Sequence, residues 1–96
     1  MAVLNDQAIR QGLAKMQGWA YVANNLRKQF KLKTFPAAIE LVNRIAQAAE
    51  SAGHHPDITI NYNVVGINLS THSEGGVTDK DFDLAQKIDR LYAELA

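Results

Sequence analysis

The chain has 96 residues, 47% hydrophobic and 21% charged, with ten Lys plus Arg balanced by ten Asp plus Glu and no cysteine. That length predicts a single domain over residues 1–96 with one modest core. The zero net charge argues against a direct nucleic-acid partner or a membrane-surface role, and the missing thiols exclude disulfides, thiolate metal sites and cysteine nucleophiles. No apolar run approaches the roughly 18 residues of a membrane span, and MAVLNDQAIRQ has no charged and apolar leader, so the expected location is cytoplasmic.

Ile9, Leu13 and Met16 recur at spacings of four and three, which predicts a short helix from Asn5 to Met16 capped by Asn5 or Asp6. Gly18 interrupts that pattern. Trp19 to Ala23 then has the aromatic and β-branched character of a strand, Asn24-Asn25 suits a tight turn, and Leu26 to Lys33 returns as a second strand. On this strand Leu26, Phe30 and Leu32 share one face, with Arg27, Gln29, Lys31 and Lys33 on the other. Thr34 as N-cap and Pro36 in the first turn open the longest helix, whose Phe35, Ala38, Ile39, Val42, Ile45, Ala46 and Ala49 recur at helical spacing to Ala52. Its small side, Ala38, Ala46 and Ala49, is expected to lie close against a sheet, and Gly53 to end it.

Pro56 disfavours helix at His55 and turns the chain into an extended run. Ile58, Ile60 and Tyr62 alternate with polar neighbours; after a turn near Asn63 to Val65, so do Val65, Ile67, Leu69 and Thr71. Parity places His72 with Asn68 and Ser70 on the face away from the core. Ser73 to Gly76 forms a loop, and Thr78 opens a last helix with Phe82, Ala85, Ile88, Leu91, Tyr92 and Leu95 as its buried stripe. The order αββαββα, with each strand pair joined by a tight turn, predicts an α+β fold: a four-stranded antiparallel sheet with helices packed on one face.

All three histidines fall within this central stretch: His54 and His55 ahead of Pro56, and His72 after the second strand of the pair. Imidazole titrates near neutral pH, so the grouping suggests a proton-transfer site. Each piece has a plainer reading. His54-His55 fits a polar loop, His72 a side chain bonded to a nearby carbonyl, and Glu50 a solvated helix residue. Asp81, three residues after Thr78, fits a capping box with Asp in the usual Glu position. Adjacent histidines do not project together as an i, i+4 pair does, and there is no HExxH motif, so a zinc site is disfavoured and neither metal nor cofactor is expected. Thr71, Ser73 and Glu74 beside His72 are hydrogen-bonding groups suited to a polar heterocycle.

The segments HHPDITINYNVVGINLSTH and GGVTDKDFDLAQKI resemble the pterin-4a-carbinolamine dehydratases, also called 4a-hydroxytetrahydrobiopterin dehydratases. The shared pattern is His54-His55-Pro56, an alternating strand pair, Thr71-His72, and Gly76-Val77-Thr78 leading to Asp81 and a final helix. It extends upstream to Gly18-Trp19 and Phe35 and covers nearly the whole chain. One position departs: Ile58 stands where animal members often carry Trp.

The resemblance implies a metal-free cytoplasmic enzyme that takes water from a pterin-4a-carbinolamine during tetrahydrobiopterin recycling. It implies catalytic roles for His54, His55 and His72, and a pocket shaped by Pro56, Thr71, Ser73, Glu74 and Asp81. It further implies a homodimer or homotetramer. The alternative it carries is a protein-binding module, acting as dimerisation cofactor or transcriptional coactivator through a surface unrelated to the pocket.

Overall fold

The computed structural model describes residues 3–96; Met1 and Ala2, which begin both the 1–96 span and the stretch searched for a leader, lie outside the described residues. Three helices and four strands alternate as α1 (Asp6–Leu13), β1 (Ala20–Val22), β2 (Asn25–Lys31), α2 (Phe35–Ala52), β3 (Asp57–Asn61), β4 (Val64–Leu69) and α3 (Asp79–Leu95), with a 3-10 turn, His72–Glu74, before α3. The strands form one antiparallel sheet in the order β1-β2-β4-β3, so each hairpin contributes one inner and one edge strand. This is the α+β arrangement predicted above. No helix among the described residues is long and apolar enough to cross a membrane.

The β2–β4 register sets Leu26 opposite Leu69 and Phe30 opposite Val65 on one face, and all four are buried. Against that face pack Ala38, Leu41, Ile45 and Ala49 of α2, Leu84, Ala85 and Ile88 of α3, and Ile9 of α1. Between Leu26 and Phe30 the same face carries Lys28, which the alternation left out of account. Its Nζ donates to Asp89 Oδ1 and to the Gln17 carbonyl at 2.8 Å each, and lies 4.8 Å from the Phe30 ring centroid. Asp89 also accepts from Trp19 Nε1 at 3.0 Å. A half-buried ammonium is tolerated here because a carboxylate, a carbonyl and an aromatic face surround it.

Several boundaries differ from expectation for local reasons. α1 ends at Leu13 rather than Met16, although Asn5 caps it as expected, accepting from Ala8 N at 2.8 Å. The first hairpin turns at Ala23-Asn24, one residue early, with φ of 51° and 65°. A two-residue turn of this kind needs consecutive positive φ, and here Asn25 Nδ2 on the Ala23 carbonyl (2.7 Å) and Tyr21 OH on Asn24 Oδ1 (3.0 Å) secure it. The second hairpin turns at Tyr62-Asn63, because Asn63 is claimed by Leu32: backbone and side chain both bond that residue at 2.8 Å.

On α2, Leu41 rather than Ala46 belongs to the buried stripe, while Ala46 and Phe35 face outward. Finally, β4 ends at Leu69, so the parity argument does not reach His72, which sits in the 3-10 turn.

Candidate functional site

The site grows from the end of α2. Gly53 takes φ +63°, a left-handed conformation that glycine adopts without penalty, and closes the helix. The next amide, His54 N, bonds back to the Ala49 carbonyl at 3.1 Å. His54 is thereby set at a fixed point on the rim of α2, and Pro56 directs the chain away into β3.

The imidazole of His54, with only 11% of its side chain exposed, brings Nε2 to 2.5 Å from Asp81 Oδ1. Asp81 is fully buried. Its other oxygen, Oδ2, accepts from Thr78 N and from Thr71 Oγ1, both at 2.9 Å. Thr71 spends its one hydroxyl proton there, so the 2.8 Å contact between the two threonine hydroxyls is donated by Thr78. Thr78 Oγ1 in turn accepts from Lys80 N at 3.3 Å. Every donor finds an acceptor when His54 carries its proton on Nε2, which is the tautomer the network assigns. A buried carboxylate is expensive unless its oxygens are filled by donors, and three donors fill these. Nδ1 of His54 has no hydrogen-bond partner among the described residues.

The far side of the network is the turn between β4 and α3. Thr71 pairs with Gly76 across a short bridge, its N donating to the Gly76 carbonyl at 2.9 Å, and its carbonyl accepts from Glu74 N and Gly75 N at 2.9 and 3.0 Å. Gly75, at φ +81°, closes the 3-10 turn. His72, Ser73 and Glu74 are all exposed on this anchored loop, and the His72 ring makes no hydrogen bond with a described residue. His55 points elsewhere from His54: its Nε2 meets Glu50 Oε2 at 2.5 Å, and both groups are largely exposed, 64% and 77%.

Of the residues singled out from the sequence, His54, Thr71 and Asp81 are thus joined by direct hydrogen bonds. His55 and His72 each flank a member of that network without bonding to it. Pro56 is half-buried between His55 and β3. Two participants were read from the sequence only in their plainer roles. Thr78 is both helix cap and network member, a duality hidden because the capping box alone explains it. Glu50 is a partner of His55 five residues on, a spacing that becomes close only because Gly53 ends the helix between them. Among the described residues no three His, Cys, Asp or Glu side chains converge as metal ligands do. Asp81 completes the expected capping box through Oδ2 and contacts His54 through Oδ1.

Comparison with known proteins gives a consistent picture. The profile of the family described as Pterin 4 alpha carbinolamine dehydratase matches residues 2–91. A protein of Herpetosiphon aurantiacus named "Putative pterin-4-alpha-carbinolamine dehydratase" is 54% identical over 93 residues, covering 97% of each chain. A crystal structure from Brucella melitensis, described as a transcriptional coactivator/pterin dehydratase, superposes with a TM-score of 0.90 at 33% identity, over 94% of this chain and 98% of that one. A pterin dehydratase-like protein described as a RuBisCO assembly factor of the alpha-carboxysome shares the fold, with a TM-score of 0.68 at 22% identity over 79% of this chain and 90% of that one.

Proposed function

The chain belongs to the pterin 4 alpha carbinolamine dehydratase family, and we propose that it is a hydro-lyase converting 4a-hydroxytetrahydrobiopterin to quinonoid dihydropterin in tetrahydrobiopterin recycling. The bond from C4a to the hydroxyl oxygen breaks. The departing oxygen takes a proton from a general acid and leaves as water, while a general base takes the proton on N5, whose electron pair closes the new C=N bond. Two histidines cover both transfers near neutral pH, each contributing about 10²- to 10⁴-fold.

One observation carries this reading: the Asp81 carboxylate bonds His54 through one oxygen and Thr71 through the other. It joins the His-His-Pro end of α2 to the turn bearing His72. With Nε2–H donated to Asp81, His54 presents Nδ1 as the basic nitrogen, and Asp81 stabilises the imidazolium formed when Nδ1 takes the N5 proton. His72, on the anchored turn across the network, is assigned as the acid for the leaving water. His55 orients the ring, and Pro56, Ser73 and Glu74 shape its surroundings. The reaction as assigned runs in the cytoplasm and in a homo-oligomer.

A second reading is a protein-binding role, and one feature favours it. The edge strand β3 leaves Ile60 41% exposed and the adjoining turn leaves Tyr62 67% exposed. The descriptions of the Brucella protein as a coactivator and of the carboxysome protein as an assembly factor belong to the same class of role. Dehydratase turnover of the unaltered protein separates the two, and His72→Gln tests the assignment of the acid. The dehydratase reading expects a fall of at least about 10²-fold with the thermal midpoint unchanged, since His72 is exposed and unbonded. Near-normal turnover removes His72 from the mechanism.

A further inference from the structure

The facing sides of α2 and α3 enclose a groove of about 790 Å³, and His54 stands at one end of it. That volume lies in the upper part of the range for pockets that bury drug-sized ligands, and so exceeds what a bicyclic ring alone would occupy. Ala48, Ala52, Leu84 and Leu91 supply apolar surface along its length.

The charge of the groove is unlike that of the chain. The chain is neutral overall, yet the groove lining holds Arg44, Lys80 and Lys87 against a single carboxylate, Asp83; with Arg44 offset by glutamates at the rim, Lys80 and Lys87 against Asp83 leave an excess of one positive charge. Arg44 is engaged by Glu40 at 3.6 Å and Glu94 at 3.4 Å. Lys80 and Lys87 are in no ion pair with any described residue. That holds even for Lys87 and Asp83, four apart on α3, where such a pair commonly forms.

The positions of the two lysines follow from the helix. Lys80 adjoins Asp81, the residue that holds His54, and Lys87 lies two turns further along, about 10 Å at 1.5 Å per residue. A ring seated at His54 with a substituent running along the groove would carry that substituent past Lys80 to Lys87.

We infer that the groove between α2 and α3 binds the substrate's side chain, and that reduced pterins whose C6 substituent ends in a carboxylate or phosphate are taken there in preference to the neutral-tailed biopterin form. The inference rests on the dehydratase reading, keeps its chemistry at C4a and N5, and widens the substrate at the tail. Carboxylate and phosphate share the chemistry that lysine recognises.

Three stable 7,8-dihydropterins with a common ring test it by calorimetric titration of the purified protein. One carries a neutral dihydroxypropyl group at C6, one a phosphorylated side chain, and one a 4-aminobenzoylglutamate tail. At least one anionic ligand is expected to bind about tenfold more tightly than the neutral one at low salt. The preference should shrink as ionic strength rises through the range where the screening length falls below about 10 Å, and should collapse toward unity in Lys87→Gln of unaltered thermal midpoint. Which anion wins identifies the source of the charge.

Equal affinities for all three ligands overturn the inference, and so does a preference that survives both Lys87→Gln and Lys80→Gln. Equal affinities with good binding leave the dehydratase reading standing. Failure of all three to bind sinks both.

Discussion

Asp81 does two jobs with two oxygens, and its replacement should expose both. In Asp81→Asn the amide oxygen can take the place of Oδ2 and still accept from Thr78 N and Thr71 Oγ1, but the amide nitrogen is a donor and then stands in the place of Oδ1, facing His54. Against His54 it forces the imidazole proton from Nε2 to Nδ1, which removes the basic lone pair from the atom assigned to the substrate. Turnover is therefore expected to fall by at least about 10²-fold, with a loss of stability of about 1–3 kcal/mol from the disturbed cap and buried network. Thr71→Val supplies the contrast. It leaves the His54–Asp81 contact in place while removing a buried hydroxyl, so stability should drop by a similar amount and turnover much less. Paired urea melts and initial rates check this. Equal loss of turnover in the two variants would mean that the network acts only by holding the fold together.

At the scale of elements, the helix ends matter more than the helix bodies. The carbon that Gly53→Ala adds would meet nothing within 4 Å, so its cost is confined to holding a left-handed φ, roughly 1–3 kcal/mol. Relief of that strain would displace His54, the residue immediately after, and rate should suffer beyond what the melting shift accounts for. A variant that loses stability and keeps its full rate would show that the C-cap does not position His54.

Such ends were legible where one local device decides them: Thr34, Gly53 and Thr78 all cap as their residue types require. They were illegible where a distant partner decides. The turn at Tyr62-Asn63 depends on Leu32, and the position of Lys28 on the apolar face depends on Asp89, a full fold away. The site followed the same division. The histidines, Thr71 and Asp81 stood out as residue types, but their division into a bonded set, His54 with Asp81 and Thr71, and two flanking histidines required the register of the turn after β4. Strand parity failed for His72 because the strand stops at Leu69.

For the molecule as a whole, both edges of the sheet are short strands, β1 and β3, and β3 ends beside the exposed Ile60 and Tyr62. Unpaired backbone groups along an edge with apolar neighbours favour association with another copy. Light scattering at micromolar concentration is expected to give a homo-oligomer, and Ile60→Lys to shift it toward monomer; a monomeric wild type would contradict this.

The most direct measurement is the rate of quinonoid dihydropterin formation from freshly generated 4a-hydroxytetrahydrobiopterin, followed by absorbance with and without purified protein. The histidine pair of acid and base predicts turnover that rises linearly with protein concentration and exceeds the spontaneous rate by at least about 10⁴-fold, the product of two transfers at the low end of their range. A rate equal to that of the buffer alone, from protein that is folded by its thermal transition, would contradict catalysis and leave the protein-binding role.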